Sequence, residues 1–193
     1  LPPVNTLMSS WHTYALVAQR GVIVTLDGQG ADEQLAGYVH YPRSQMIHSG
    51  SAAALRQALA LRRRMHGVGG MIAQGLAGHA LRRLVGTRGL AGLAECLGRG
   101  RNLVMPVGQA LREDFRTHLQ TLLFYADKAS MAWSLESRMP FMDWRLVEFI
   151  ARLPLAVRIH DGWTKWIARH AMRDQLPADV VWRRDKLGWA VPE

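Results

Sequence analysis

The chain has 193 residues, 49% of them apolar, and a formal net charge of +9. That apolar content excludes an extended disordered chain, and no apolar run approaches the roughly 20 residues a membrane-spanning helix needs. The single cysteine, Cys96, excludes a disulfide framework and a cysteine-ligated metal site, and a cytoplasmic setting fits.

No charged segment leads into an apolar stretch, so no secretory leader is expected. Residues 11–20 have a helical look, and Gly21 sits where a helix stop belongs. Residues 22–26, Val-Ile-Val-Thr-Leu, are β-branched or apolar throughout. Such a run predicts a strand buried on both faces of a parallel sheet. Helical character resumes over residues 31–38.

Residues 45–105 carry nine arginines against one acid, Glu95, and 11 of the 18 glycines. Most of the excess charge therefore belongs to this segment and not to the core chemistry. Residues 51–65 predict a basic amphipathic helix, broken by Gly67, Gly69 and Gly70. Beyond them short helical pieces alternate with glycines. The segment reads as a basic helical insertion with a solvated face, or as a surface for an anionic partner. No aromatic interleaves its arginines, so nucleic-acid bases have no stacking platform. Residues 110–132 predict one long helix. Residues 144–153 place Leu146, Val147, Phe149, Ile150 and Leu153 at helix-face spacings. Residues 163–173 predict a further helix, stopped by Pro177.

Three constellations could carry chemistry. The first is Gly28-Gln29-Gly30-Ala31-Asp32-Glu33, at the carboxyl end of the predicted strand. Glycines there let backbone amides approach a ligand, and the following helix start favours anions. Asp32 and Glu33 are themselves anions. A bridging Mg2+ shared with phosphate oxygens would reconcile them; a plain helix cap would also explain them. The second is residues 130–143, where Glu136, Arg138 and Asp143 interrupt an apolar stretch and would need partners if buried. The third is the basic loop Arg183-Arg184-Asp185-Lys186-Leu187-Gly188-Trp189, in which Lys186 could meet phosphate or carboxylate as a point charge. The histidines show no paired metal spacing, and there is no nucleophile elbow.

These motifs, in this order, resemble the glutamine-hydrolysing asparagine synthetase family. Asp27 to Glu33 with Gly37-Tyr38 is similar to its Ser/Thr-Gly-x-Gly-x-Asp-Glu turn and Gly-Tyr. Residues 130–143 match its Ser-Met-Ala-x-x-x-Glu-x-Arg-x-Pro-Phe-Leu-Asp block, with Met142 for Leu. Gly162 and Lys165 match its Gly-x-x-Lys, and residues 184–192 its Arg-x-Lys-x-Gly-Phe-x-x-Pro, with Trp189 for Phe. The resemblance covers residues 10–44 and 106–193. It implies an adenine nucleotide alpha-hydrolase-like α/β fold with a parallel sheet, beside a mostly helical remainder.

The resemblance also implies an activity. ATP with Mg2+ would adenylate the aspartate side-chain carboxylate, and glutamine-derived ammonia would attack to give asparagine, AMP and pyrophosphate. Gly28, Gln29 and Gly30 would meet the nucleotide. Asp32 would reach Mg2+-pyrophosphate, and Lys186 would stabilise the phosphoryl charge. Glu33, Glu136, Arg138, Asp143 and Arg184 would be substrate-side or structural, with Arg138 and Asp143 organising the interior near the site. Two further positions depart from the family. Asp27 stands where Ser or Thr is usual. Gln29 stands where aspartate-specific members carry Glu and β-lactam-forming relatives carry Tyr, and a neutral amide is a poor proton acceptor. A related adenylating cyclase, or an inactive fragment acting as a basic binding module, are the alternatives. No Ser-Gly-Gly-x-Asp-Ser pyrophosphate loop and no N-terminal Cys nucleophile occurs in the chain. The expectation is therefore a C-terminal part of the synthetase domain, lacking its glutaminase domain and inactive alone. The resemblance admits a homodimer and implies neither nucleic acid nor membrane as partner.

Overall fold

The computed structural model describes residues 4–97 and 105–185. Helices dominate. In chain order they are α1 (Val4–Gln19), α2 (Ala31–Leu35), α3 (His40–His48), α4 (Ser51–Arg64), α5 (Gly69–Cys96), α6 (Val107–Arg116), α7 (His118–Met131), α8 (Trp144–Arg152), α9 (Trp166–Met172) and α10 (Ala178–Val181). Two short strands, β1 (Val24–Leu26) and β2 (Glu136–Arg138), pair in parallel with Thr25 opposite Ser137. A second pair, β3 (Ile159–His160) and β4 (Trp163–Thr164), is an antiparallel hairpin. No helix among the described residues is long and apolar enough to cross a membrane.

The parallel strand is where the sequence placed it, but it is not buried on both faces. Ile23 and Leu26 are 71% and 75% exposed. Among the described residues β1 has one hydrogen-bonded neighbour, β2. α1 and α7 close one side, where Tyr14, Ala129 and Leu135 form a small core.

Packing explains three further departures. The glycine-rich stretch after residue 68 is not a series of short pieces. It is α5, continuous over 28 residues apart from a kink at Gly86, whose φ is +73°. Gly75 and Gly78 let α5 lie close on α3, since a Cβ there would meet Met46 and Ile47 at 2.4 and 2.9 Å. The expected long helix over 110–132 is two helices, divided at Thr117, whose Oγ1 donates to the Glu113 carbonyl at 2.8 Å. Ser and Thr bonded back in this way compete with the helix ladder. The helix expected from residue 163 begins at Trp166, because Asp161-Gly162 makes a two-residue hairpin turn with φ of +44° and +77°. Asp-Gly is the turn chemistry for that geometry. A Cβ at Gly162 would also meet the Ala60 carbonyl carbon at 2.5 Å, so the hairpin tip seats directly on α4.

Helix α4 follows expectation. Its Ala and Leu residues favour helix, and Ala54, Ala58 and Leu61 line the face buried with Met46. Three arginines of the basic segment, Arg64, Arg82 and Arg83, bond to other parts of the chain through their side chains. Arg82 Nε donates to the Ile47 carbonyl at 2.7 Å, near the end of α3. Arg64 pairs with Asp161 at 2.6 Å.

Candidate functional site

The site is assembled around the five-residue helix α2. Asp27 prolongs β1, its amide donating to the Arg138 carbonyl at 2.8 Å. The Asp27 carboxylate accepts from Ser137 Oγ at 2.6 Å and from the Tyr14 hydroxyl. It is therefore committed to joining α1, β1 and β2. Burial and the Asp27 bond push the Tyr14 phenol up to about 12. The chain then turns through Gly28 and Gln29 to Gly30, whose φ is +89°. A Cβ on Gly30 would meet Met142 Sδ at 2.6 Å, so the turn packs tightly on the segment Pro140–Met142. Gln34 Nε2 strengthens that contact, donating to the Phe141 carbonyl at 2.6 Å.

Helix α2 stops at Ala36, left-handed with φ +57°. Gly37 follows, its amide donating to the Asp32 carbonyl at 2.9 Å. The absence of a side chain at Gly37 is required: a Cβ would lie 1.8 Å from Asp32 Oδ1 and 2.4 Å from Lys165 Cε. Into that space comes Lys165, whose Nζ lies 2.7 Å from Asp32 Oδ1. The ion pair lies off hydrogen-bond alignment, so Oδ1 is shielded and without a hydrogen-bond donor. The Lys165 backbone is fixed by its left-handed φ of +55° and by its amide, which donates to the Leu35 carbonyl at 3.2 Å. The hairpin thus carries the lysine to the acid.

Asp32, Gly37 and Lys165 line one polar cavity of about 240 Å3 together with Arg169, Arg183, Arg184 and Asp185. Four cations face two acids. Arg169 is braced: its Nε donates to the Thr164 carbonyl at 2.9 Å, and its guanidinium lies 4.8 Å from the Trp163 ring centre. Burial lowers its pKa below the ordinary arginine value, yet an arginine remains charged. Arg184 caps α4, its Nε donating to the Arg64 carbonyl at 3.2 Å and its Nη2 to that of Arg63. Asp185 pairs with His66 at 3.2 Å. A recess with several donors and excess positive charge suits a polyanion such as phosphate.

The asparagine synthase family model matches residues 4–193. The chain belongs to the asparagine synthase family. It is 41% identical over 66 residues to asparagine synthetase [glutamine-hydrolyzing] 3 of Bacillus subtilis, which covers 34% of this chain and 11% of that protein. A putative asparagine synthetase [glutamine-hydrolyzing] of Mycobacterium bovis is 40% identical over 88 residues, covering 45% of this chain and 13% of that one. A probable asparagine synthetase [glutamine-hydrolyzing] of Schizosaccharomyces pombe is 25% identical over 197 residues, covering 94% of this chain and 25% of that one. The matches thus span about a tenth to a quarter of these relatives' lengths. No solved structure matches the chain significantly.

The family motifs occupy unequal places in this asparagine synthase segment. Asp32 and Arg184 line the basic cavity. Gly28, Gln29 and Gly30 form the turn before it and do not line it. Glu33 faces away: it is 2% exposed, and its Oε1 accepts from the Tyr38 hydroxyl at 2.5 Å. Glu136 and Arg138 are not an interior network. They pair with each other at 2.7 Å on the surface, with side chains 58% and 62% exposed. Each stabilises the other's charged form, lowering the Glu136 pKa and raising that of Arg138. Asp143 caps α8, accepting from the Arg145 amide at 2.9 Å, and pairing with Arg145 pulls it down to about 2. Glu136 and Arg138, two residues apart on β2, share its exposed face. Lys186 lies outside the described residues.

Lys165 is the residue the site adds. Its signal was present, as the lysine of the Gly-x-x-Lys match, but only the hairpin geometry shows that it meets Asp32. Among the described residues no group of three His, Cys, Asp or Glu side chains could cage a metal.

Proposed function

We propose that this segment supplies the phosphate-side wall of an ATP-dependent, amide-forming ligase. The reaction is adenylation of the aspartate side-chain carboxylate, with pyrophosphate leaving, followed by attack of glutamine-derived ammonia to give asparagine and AMP. Within it, β1 and β2 form part of an adenine nucleotide alpha-hydrolase-like sheet. The carrying observation is the Asp32–Lys165 pair, 2.7 Å apart in a cation-rich recess at the carboxyl end of a parallel strand. Ligands of open α/β sheets bind at such strand ends.

In this reading Lys165 Nζ and Arg183 donate to phosphoryl oxygens as negative charge develops on the departing pyrophosphate. Asp32 holds the lysine in line, and Gly37 leaves the room both need. Arg169 and Arg184 keep the wall in place through their bonds to backbone carbonyls. Lys186, which the resemblance makes a phosphoryl-charge stabiliser, directly follows the cavity-lining Asp185 in sequence. The donor set fits ATP phosphates. For Mg2+ the recess offers one protein carboxylate, Asp32, whose Oδ1 is held by Lys165, and no cage among the described residues, which fits an ion borne mainly by the phosphates. Bound Mg2+ would supply charge neutralisation on the phosphates. The glutaminase activity and the pyrophosphate loop belong to other parts of such an enzyme.

The test is aspartate-dependent ATP–pyrophosphate exchange by the full reading frame that carries these residues. Lys165→Met should lower the exchange rate on the order of a thousandfold. Exchange within about twofold of the unmodified protein would sink the reading.

A further inference from the structure

A second cleft lies on the opposite side of α2. It has a volume of about 480 Å3 and shares no residue with the Asp32–Lys165 cavity. Asp32 lines one recess, and its sequence neighbours Glu33 and Gln34 line the other. The walls of the second are apolar side chains of α6, α8 and the segment after it: Leu111, Phe115, Val147, Ile150 and Leu153.

Its polar feature is Arg158, 9% exposed. Nη1 donates to the Gln34 carbonyl at 3.3 Å. Nη2 donates to the carbonyls of Ala151 and Leu153, each at 3.1 Å, and to that of Ile150. These are neutral acceptors at the carboxyl end of α8. No carboxylate among the described residues pairs with Arg158, and its Nε is buried without an acceptor. Arg112 and Arg116 stand exposed on α6 at the same cleft. The one acid present is Glu33, already bonded to the Tyr38 hydroxyl. Three guanidinium groups therefore surround an apolar recess that contains a single, occupied carboxylate. A buried polar donor with no partner is costly, and a buried cation without a counter-charge more so.

We propose that this cleft binds a small organic carboxylate with an apolar body. The head group accepts from Arg158 Nε–H, and the body lies along Leu111, Phe115 and Val147. Apolar walls with a few convergent polar groups, in a cleft of this size, are the usual form of a small-molecule site. The site is separate from the ligase reading. It involves no nucleotide phosphate and no covalent step.

The test is calorimetric titration of the full-length protein with octanoate and with 1-octanol, both below their aggregation limits. Octanoate should bind saturably with one site per chain. Octanol, equal in length but uncharged, should bind about tenfold more weakly. Arg158→Gln should remove that preference. Arg112→Gln with Arg116→Gln, both exposed and tolerable to the fold, should weaken octanoate about threefold and leave octanol unchanged. Equal affinity for acid and alcohol, absence of saturable octanoate binding, or rim variants that bind octanoate like the unmodified protein would each overturn the proposal. Should Arg158→Gln fail to fold, the acid–alcohol comparison and the rim variants still decide. Absence of ATP–pyrophosphate exchange in the unmodified full-length protein, with octanoate binding intact, would count against the ligase reading alone.

Discussion

Asp32 and Glu33 are adjacent acids in the first turn of the same short helix, yet they live in different worlds. Successive helical residues point about 100° apart, so one turn delivers one carboxylate to each side of α2. Asp32 is partly exposed, faces Lys165 and shares its recess with three arginines. Glu33 is 2% exposed, and its Oε1 accepts from a phenol, that of Tyr38. Burial and the Glu33 bond raise the Tyr38 pKa well above its ordinary value, so the phenol stays protonated and remains a donor. A carboxylate beside a lysine in a partly exposed polar recess can take part in binding. A carboxylate sealed against a neutral hydroxyl holds the helix to its neighbour. In the proposed ligase reading the acid pair of the sequence motif thus divides, Asp32 serving the reaction and Glu33 the frame.

Exchanging each acid for its amide tests that division. Asp32→Asn should cost the most: about a hundredfold or more in ATP–pyrophosphate exchange, with an unfolding midpoint close to the unmodified value, because the lysine loses its counter-charge at a hydrated site. Glu33→Gln should do the reverse. Its stability should fall by about 1–3 kcal/mol in urea unfolding, since a buried acceptor of the Tyr38 hydroxyl is weakened, while exchange per folded molecule is kept. If Asp32→Asn unfolds the protein and keeps the rate, or Glu33→Gln abolishes the rate in a stable protein, the two roles are assigned the wrong way round.

Gly37→Ala sharpens the same comparison with a single methyl group. The new Cβ would fall 1.8 Å from Asp32 Oδ1 and 2.4 Å from Lys165 Cε, so the pair must part. Overpacking of this kind costs about 1–3 kcal/mol. Exchange should fall with it, whereas octanoate binding in the opposite cleft should be unaffected. A Gly37→Ala protein with full exchange would show that the Asp32–Lys165 contact is incidental.

Much of the frame was legible in the sequence because its signals are local. The β-branched run at 22–26, the helix stop at Gly21, the α4 face and the periodicity of α8 each depend on residues within a turn or two. Burial of the strand was not legible, because it depends on which neighbours cover it, and Ile23 and Leu26 are largely open. Asp161-Gly162 was a readable hairpin signal that the apolar periodicity of residues 163–173 masked. The kink at Gly86 and the break at Thr117 follow from packing and from a side chain bonded back to its own helix, which composition does not report. In the candidate site Asp32 was readable from its motif. Its partner was not, because Lys165 is brought to it by a hairpin far along the chain. Glu136, Arg138 and Asp143 were readable as charges in need of partners, but not as surface pairs and a helix cap, because exposure depends on what packs against them.

Asp27, the departure from the family's usual Ser or Thr, gives the smallest and most specific test. Its carboxylate joins β1 to α1 through Tyr14 and to β2 through Ser137, so here it acts as a brace. Folding raises the Tyr14 pKa from 10 to about 12. A raised pKa stabilises the folded state fully below the unfolded value, and that contribution drains away as pH climbs from 10 through about 12. Tyr14→Phe should therefore cost about 1 kcal/mol at pH 8, the ordinary worth of one hydrogen bond. The gap between the two proteins should narrow over pH 10–12 as the unfolded chain's tyrosine ionises. Urea midpoints of both proteins measured at steps across that range provide the check, with the other tyrosines cancelling in the difference. A gap that stays constant with pH would mean that Asp27 does not hold the Tyr14 proton. The carboxylate would then be free to face the nucleotide, and the brace would have to be sought elsewhere.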